Sequence, residues 1–154
     1  RMLAAEGVAM ETKGFAMGVR AEHPQELIND LFYFKSRHLD IPTSRYYENI
    51  IRYVGNASYS IVTQVDGRGV YSFCMCPGGH MVPASSEQGL CVVNGMSASH
   101  RNSPYANSGI VVQINPEDIE GSNPLRGLLY QEALERLASY KNEQGHLNLS
   151  PWSL

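Results

Sequence analysis

The strongest constraint on the fold lies between positions 59 and 75. Two β-rich runs, Tyr59-Ser60-Ile61-Val62-Thr63-Gln64-Val65 and Val70-Tyr71-Ser72-Phe73-Cys74-Met75, flank Asp66-Gly67. β-Branched and aromatic side chains suit a pleated surface, and glycine tolerates the positive φ that a tight hairpin turn demands. The spacing predicts an antiparallel hairpin and a sheet that grows by local turns; a parallel sheet would need helical crossovers.

Further strands are expected over 15–22, 80–84, 90–94 and 108–114, each bounded by glycine, proline, serine or asparagine. Proline cannot donate to a sheet ladder, so His23-Pro24 ends the first strand, and Pro24 can open a helix. From Pro24 to about Lys35, Leu27, Ile28, Leu31 and Phe32 recur at helical spacing; Gln25, Glu26 and Asn29 are expected to face away from that stripe. A second helix is predicted over 124–141, opened by Asn123-Pro124. Its broad face of Leu129, Tyr130, Ala133, Leu134, Leu137 and Ala138 is expected to cover the sheet. The stretch from Pro42 to Gly55 fits a short helix and an irregular loop equally. The reading is an α+β fold: a mainly antiparallel sheet of about five or six strands with helices packed on one side.

A length of 154 residues fits a single domain, 1–154. Twelve basic against fifteen acidic side chains give 12 − 15 = −3, with no basic run, which disfavours nucleic-acid and membrane-surface partners. No uncharged apolar stretch approaches the roughly 18–20 residues that cross a bilayer. Cys74, Cys76 and Cys91 are an odd set without a signal peptide before them, so a reducing cytoplasm is expected. The opening Met2-Leu3-Ala4-Ala5-Glu6-Gly7 reads as the end of a helix closed by glycine, as in a piece of a longer protein.

The chemistry concentrates in Phe73-Cys74-Met75-Cys76-Pro77-Gly78-Gly79-His80, where sulfur, a rigid residue and two permissive glycines sit at a strand end. Such a loop lets backbone approach a ligand closely. On an extended strand Cys74 and Cys76 share a face, but a disulfide between them would be strained. Most free cysteines are small buried hydrophobes, and that reading stands beside thiol redox. Cys74, Cys76, His80 and Cys91 have residue types that suit zinc but lack the paired spacing of structural sites, so no metal is expected. Ser85, Ser86, Ser97 and Ser103 lack a G-x-S-x-G elbow, and phosphate loops and G-x-G-x-x-G are absent. Asn94-Gly95-Met96-Ser97 and Ser99-His100-Arg101-Asn102-Ser103 offer small polar groups and one guanidinium, which suit a ring carbonyl or a carboxylate or, more blandly, a solvated turn.

Taken in order, Gly14-Phe15-Ala16-Met17-Gly18-Val19-Arg20-Ala21-Glu22-His23-Pro24-Gln25, the F-C-M-C-P-G-G block, Asn94-Gly95-Met96-Ser97, Arg101 and Ala106-Asn107-Ser108 resemble the FAD-dependent dehydrogenases also called NAD/FAD-utilising dehydrogenases. The likeness runs from about Leu3 to about Leu137. It implies a flavoprotein whose dinucleotide-binding domain is split around a sheet-rich insert, this chain being mostly that insert. The family's glycine-rich FAD fingerprint and its downstream glycine-rich segment have no counterpart here, so this chain alone is expected neither to retain FAD nor to be active.

In the intact flavoprotein, the resemblance places Cys74, Met75, Cys76, Pro77, Gly78, Gly79, Asn94, Gly95, Met96, Ser97, Arg101, Asn107 and Ser108 toward the flavin and its substrate. Cys76 and Glu87 are candidates for a catalytic role, and neither has a partner legible in sequence. The implied partners are the remaining FAD-binding domain, an unknown small-molecule substrate and NAD(P)H. Two other functions compete: a non-catalytic protein-interaction module, and a thiol-redox domain using Cys74 and Cys76.

Overall fold

The computed structural model describes residues 1–34 and 44–139. In chain order the elements are α1 (Met2–Ala5), β1 (Phe15–Pro24), α2 (Gln25–Asn29) running into one π-helical turn (Asp30–Phe34), α3 (Ser44–Val54), β2 (Val62–Val65), β3 (Arg68–Cys76), β4 (Gly79–Pro83), β5 (Val93–Ser97), β6 (Tyr105–Ile114), a 3-10 turn (Pro116–Asp118) and α4 (Arg126–Ala138). A four-stranded sheet has the order β1-β6-β3-β2, and β4 and β5 form a second sheet of two strands. The fold is α+β, with antiparallel β2–β3 and β3–β6 pairs.

The hairpin forms where its turn chemistry places it. Asp66 and Gly67 both take positive φ, at 49° and 75°, and Val62 pairs with Tyr71 while Val65 pairs with Arg68. The open stretch 42–55 resolves to helix from Ser44. The strand expected over 90–94 begins at Val93, because Ser85 and Val92 close the preceding loop first: Val92 N–H donates to Ser85 Oγ at 2.9 Å. Lys35 and residues 140–141 of the two predicted helices lie outside the described residues.

By proximity the chain divides into two compact units, one of 1–17, 83–93 and 113 onward, the other of 18–82 and 94–112. In the second unit, Ile28, Ala57 and Ala106 are buried, with Tyr33, Tyr59 and Met75 packed around them. Its interior is otherwise polar: Gln25, Asn29, Asn107 and Ser108 are buried too.

This corrects the helical-stripe expectation for α2. Gln25 and Asn29 are each 3 % exposed, whereas Leu27 and Leu31 are 44 % and Phe32 is 50 % exposed. The amides turn inward because the neighbouring backbone needs partners there: Gln25 Nε2 donates to Ala57 O at 3.0 Å, and Asn29 Oδ1 accepts Ala57 N–H at 2.8 Å. At these positions hydrogen-bond demand has overruled apolar spacing, while Ile28 of the same stripe is buried as expected.

In the first unit, α4 begins two residues after Pro124, because Asn123 Oδ1 accepts the Leu125 N–H at 2.9 Å and holds a turn there. Its docked side is set by polar contacts with the 89–91 backbone: Cys91 N–H donates to Glu135 O at 3.0 Å and Ser139 Oγ reaches Gly89 O. The apolar face expected to be covered is open, with Leu129 46 % and Leu137 71 % exposed. On the other side of α4, Glu132 forms an ion pair with Arg1, and Gln131 Nε2 donates to Glu135 Oε1 at 2.7 Å.

Candidate functional site

The ladder between β3 and β6 runs in register through Phe73–Gly109 and resumes at Cys76–Asn107. The irregularity is absorbed by Cys74, at φ 47°, a left-handed conformation that L side chains rarely take. A bulge of this kind re-aims the side chains that follow it. Cys76 then sits directly across from Asn107, and its thiol donates to Cys74 O at 3.4 Å.

Arg20 of β1 joins the same cluster. Its Nη1 donates to Asn107 Oδ1 at 2.6 Å and to Cys74 O at 3.2 Å, so one guanidinium ties β1 to the strained carbonyl of the bulge. Gly95 of β5 closes over the group: a Cβ there would collide with Arg20 Nη1 and Asn107 Oδ1 and lie 2.8 Å from Cys76 Sγ. Asn107 is completely buried, and its Nδ2 has no hydrogen-bond partner among the described residues. Leaving such a buried donor unmet costs about 1–3 kcal/mol.

The Pro77-Gly78 turn is fixed from below. Gly78, at φ 57°, donates its N–H to Gln25 Oε1 at 2.7 Å, and a Cβ on it would overlap the Arg101 carbonyl. Arg101 is itself left-handed at φ 47°, and its carbonyl accepts Asn56 Nδ2 at 2.7 Å. Asn29 Nδ2 donates to Asn56 Oδ1 at 3.1 Å. One chain of amides, Gln25, Asn29 and Asn56, thus orients both left-handed turns. Above it opens a cleft of about 530 Å³, lined by Gln25, Asn29, Asn56, Arg101 and Ser103 among others.

The F-C-M-C-P-G-G and N-G-M-S blocks meet in space. Ser97 Oγ donates to Pro77 O at 3.0 Å, and a Cβ on Gly79 would stand 2.5 Å from Met96 O. Pro77, Gly78, Gly79, Asn107 and Ser108 are buried, while Met75, Cys76, Gly95 and Ser97 are half-buried. Cys74, Asn94, Met96 and Arg101 are exposed. Glu87 is exposed on the 84–92 loop of the first unit, which also holds half-buried Cys91. Among the described residues no set of three His, Cys, Asp or Glu side chains is arranged to hold a metal ion.

A second pair adjoins the cluster. His23 Nε2 lies 2.7 Å from Tyr59 Oη, and Tyr59 is in turn hydrogen-bonded to Ser108. Burial pushes the Tyr59 phenol up, against the opposing pull of Ser108 and of the Arg20 charge. Burial likewise pulls the His23 imidazole below its ordinary value, with Glu22 opposing. The unfolded chain therefore binds more protons than the native one on the acid side of about pH 6.5. The contribution from His23 is fully present above that pH and is lost as pH falls from there through its lowered native value. A heteronuclear NMR titration is expected to place the His23 midpoint below that of a free imidazole. A midpoint at or above it would show that the ring is not held neutral.

Sequence reasoning missed Arg20, Gln25, Asn29, Asn56, His23 and Tyr59 as site residues. Arg20, His23 and Gln25 stand within the 14–25 block that carried the resemblance, the one signal that pointed to them.

A family described as FAD-dependent protein, C-terminal domain-like, matches residues 14–150. An uncharacterized protein of Clostridium beijerinckii is 46 % identical over 140 residues, covering 89 % of this chain and 24 % of its own length. The chain spans about a quarter of that relative.

Proposed function

The chain belongs to the FAD-dependent protein, C-terminal domain-like family, and from that premise we propose that it is the substrate-side domain of a FAD-dependent oxidoreductase. The observation that carries the reading is the Arg20–Asn107 pair, a cation beside a buried amide donor without a partner among the described residues. FAD, when bound, supplies hydride or electron transfer.

The donor set here suits one end of that cofactor. Ring carbonyl oxygens are acceptors, and Arg20 and Asn107 are donors, one of them cationic. A flavin that gains negative charge is favoured by such groups near its pyrimidine edge. The phosphate end does not fit the described residues. A pyrophosphate is ordinarily held where a strand passes through a glycine turn into a helix, but β1 runs straight into the five-residue α2 through Pro24. The nucleotide end is therefore assigned to the rest of a longer protein, of which this chain supplies the wall facing the substrate. In that wall Gly95 and Gly79 keep the backbone close, the amide chain under Gly78 fixes the turn, and Arg20 orients Asn107.

The test uses the longer protein. It is expected to purify with FAD and to be bleached anaerobically by NADH or NADPH. Arg20→Met, checked for native circular dichroism, is expected to lower the flavin reduction potential by about 30 mV or more, the equivalent of about 1.4 kcal/mol for two electrons. A longer protein without flavin would remove the reading. Bound flavin with an unchanged potential in the variant would remove the placement of Arg20.

A further inference from the structure

The β2–β3 hairpin is the largest feature that this site leaves unused. β2 is the edge of its sheet, and no strand pairs with its outer side among the described residues. All four of its residues are exposed, Val62 at 82 % and Val65 at 52 %, with Ile61 beside them at 44 % and Phe73 on β3 at 57 %. Register places Val62, Tyr71 and Val111 in one row, so the apolar surface continues from the edge onto the sheet.

Edge strands in natural proteins are normally protected by lysine, proline, inward-pointing charge or a covering element. Residues 59–65 carry none of the first three: the run is uncharged, has no proline and is rich in β-branched side chains. Left open, it has the signature of an aggregating segment. Its four residues make β2 a short edge, but Val62 stays 82 % exposed; a covering element would bury it, and the 46 % identical relative has 100 − 24 = 76 % of its length outside the matched region.

We infer that the outer edge of β2, with Val62 and Phe73, is the docking surface for the rest of the longer protein, which lays an uncharged apolar segment or strand along it. The inference rests on the reading above only in taking this chain as one part of a longer flavoprotein. The sheet's next paired position beyond Phe73–Gly109 is Cys76–Asn107, so the docked polypeptide lies on the same sheet as the candidate site.

Photo-crosslinking in the longer protein tests this, with Val62→p-benzoylphenylalanine and the same group at exposed Arg52 on α3 as a control. Position 62 is expected to crosslink at least about ten-fold more than position 52, with adducts mapping outside the 154 residues. Crosslinking no greater than the control, adducts within these residues, or a covalent dimer joined through the same surface would each overturn the proposal. Flavin content of the same preparation separates the two readings: adducts without flavin remove the function and keep the interface, and flavin without adducts does the reverse.

Discussion

Gly78→Ala is expected to destabilise the chain by about 3 kcal/mol. The left-handed backbone costs an L residue about 1–2 kcal/mol, and an added methyl forced into packed surroundings costs about 1–3 kcal/mol more. Both apply here, since Gly78 sits at φ 57° and its Cβ would overlap the carbonyl of Arg101, which cannot swing aside because Asn56 holds it. Gly67 is the internal control. It has φ 75° with nothing within 4 Å of an added Cβ, so Gly67→Ala carries the conformational cost alone, about 1 kcal/mol. For a chain of this size the two variants should differ by about 4–8 °C in melting temperature. Equal losses in urea denaturation would show that the contact between Gly78 and Arg101 is not made in the native state.

That contrast bears on what could be read from the residues alone. The hairpin at Asp66-Gly67 was legible because its signal is local: two β-rich runs and a glycine where the turn needs positive φ. The antiparallel, α+β character followed from it. The importance of Gly78 and Gly79 was legible as composition, but what makes Gly78 irreplaceable is a carbonyl 23 positions away, and no periodicity reports that. The bulge at Cys74 was equally hidden. An alternating strand places Cys74 and Cys76 on one face, whereas the register shift breaks the alternation and leaves Cys74 exposed and Cys76 beside Asn107.

The helices were the reverse case: their existence was legible and their orientation was not. Apolar spacing assigned Leu27, Ile28, Leu31 and Phe32 inward on α2 and the π-helical turn after it, and Leu129 and Leu137 inward on α4; of these six Ile28 is buried and the other five are exposed. In each helix the docked side is chosen by hydrogen bonds to backbone that strands leave unpaired, through Gln25 and Asn29 in one and through Glu135 and Ser139 in the other. A stripe that is apolar and exposed is also what a chain shows when its natural neighbour belongs to another part of the protein. The open β2 edge has the same character.

The inversion on α2 yields the second large effect. Gln25→Leu, which keeps the volume and forms helix about as well, is expected to cost about 3–5 kcal/mol. Gln25 is 3 % exposed and holds three partners: it accepts Gly78 N–H at 2.7 Å and donates to Asn29 Oδ1 at 2.9 Å and Ala57 O at 3.0 Å. Leucine strands the first and last of these in a buried setting, and each orphaned group costs about 1–3 kcal/mol, beyond what the added apolar surface returns. Asn29→Ala breaks the same chain one step on, so the double variant should lose about 1–2 kcal/mol less than the sum of the singles. Leu27→Ala, at a position 44 % exposed, should lose only about 1 kcal/mol. If α2 were held through Leu27 rather than through its amides the order would be reversed, with Leu27 the damaging site and Gln25→Leu neutral or stabilising. Urea melts of the three single variants and the double therefore decide whether the Gly78 turn rests on a buried amide network or on hydrophobic packing.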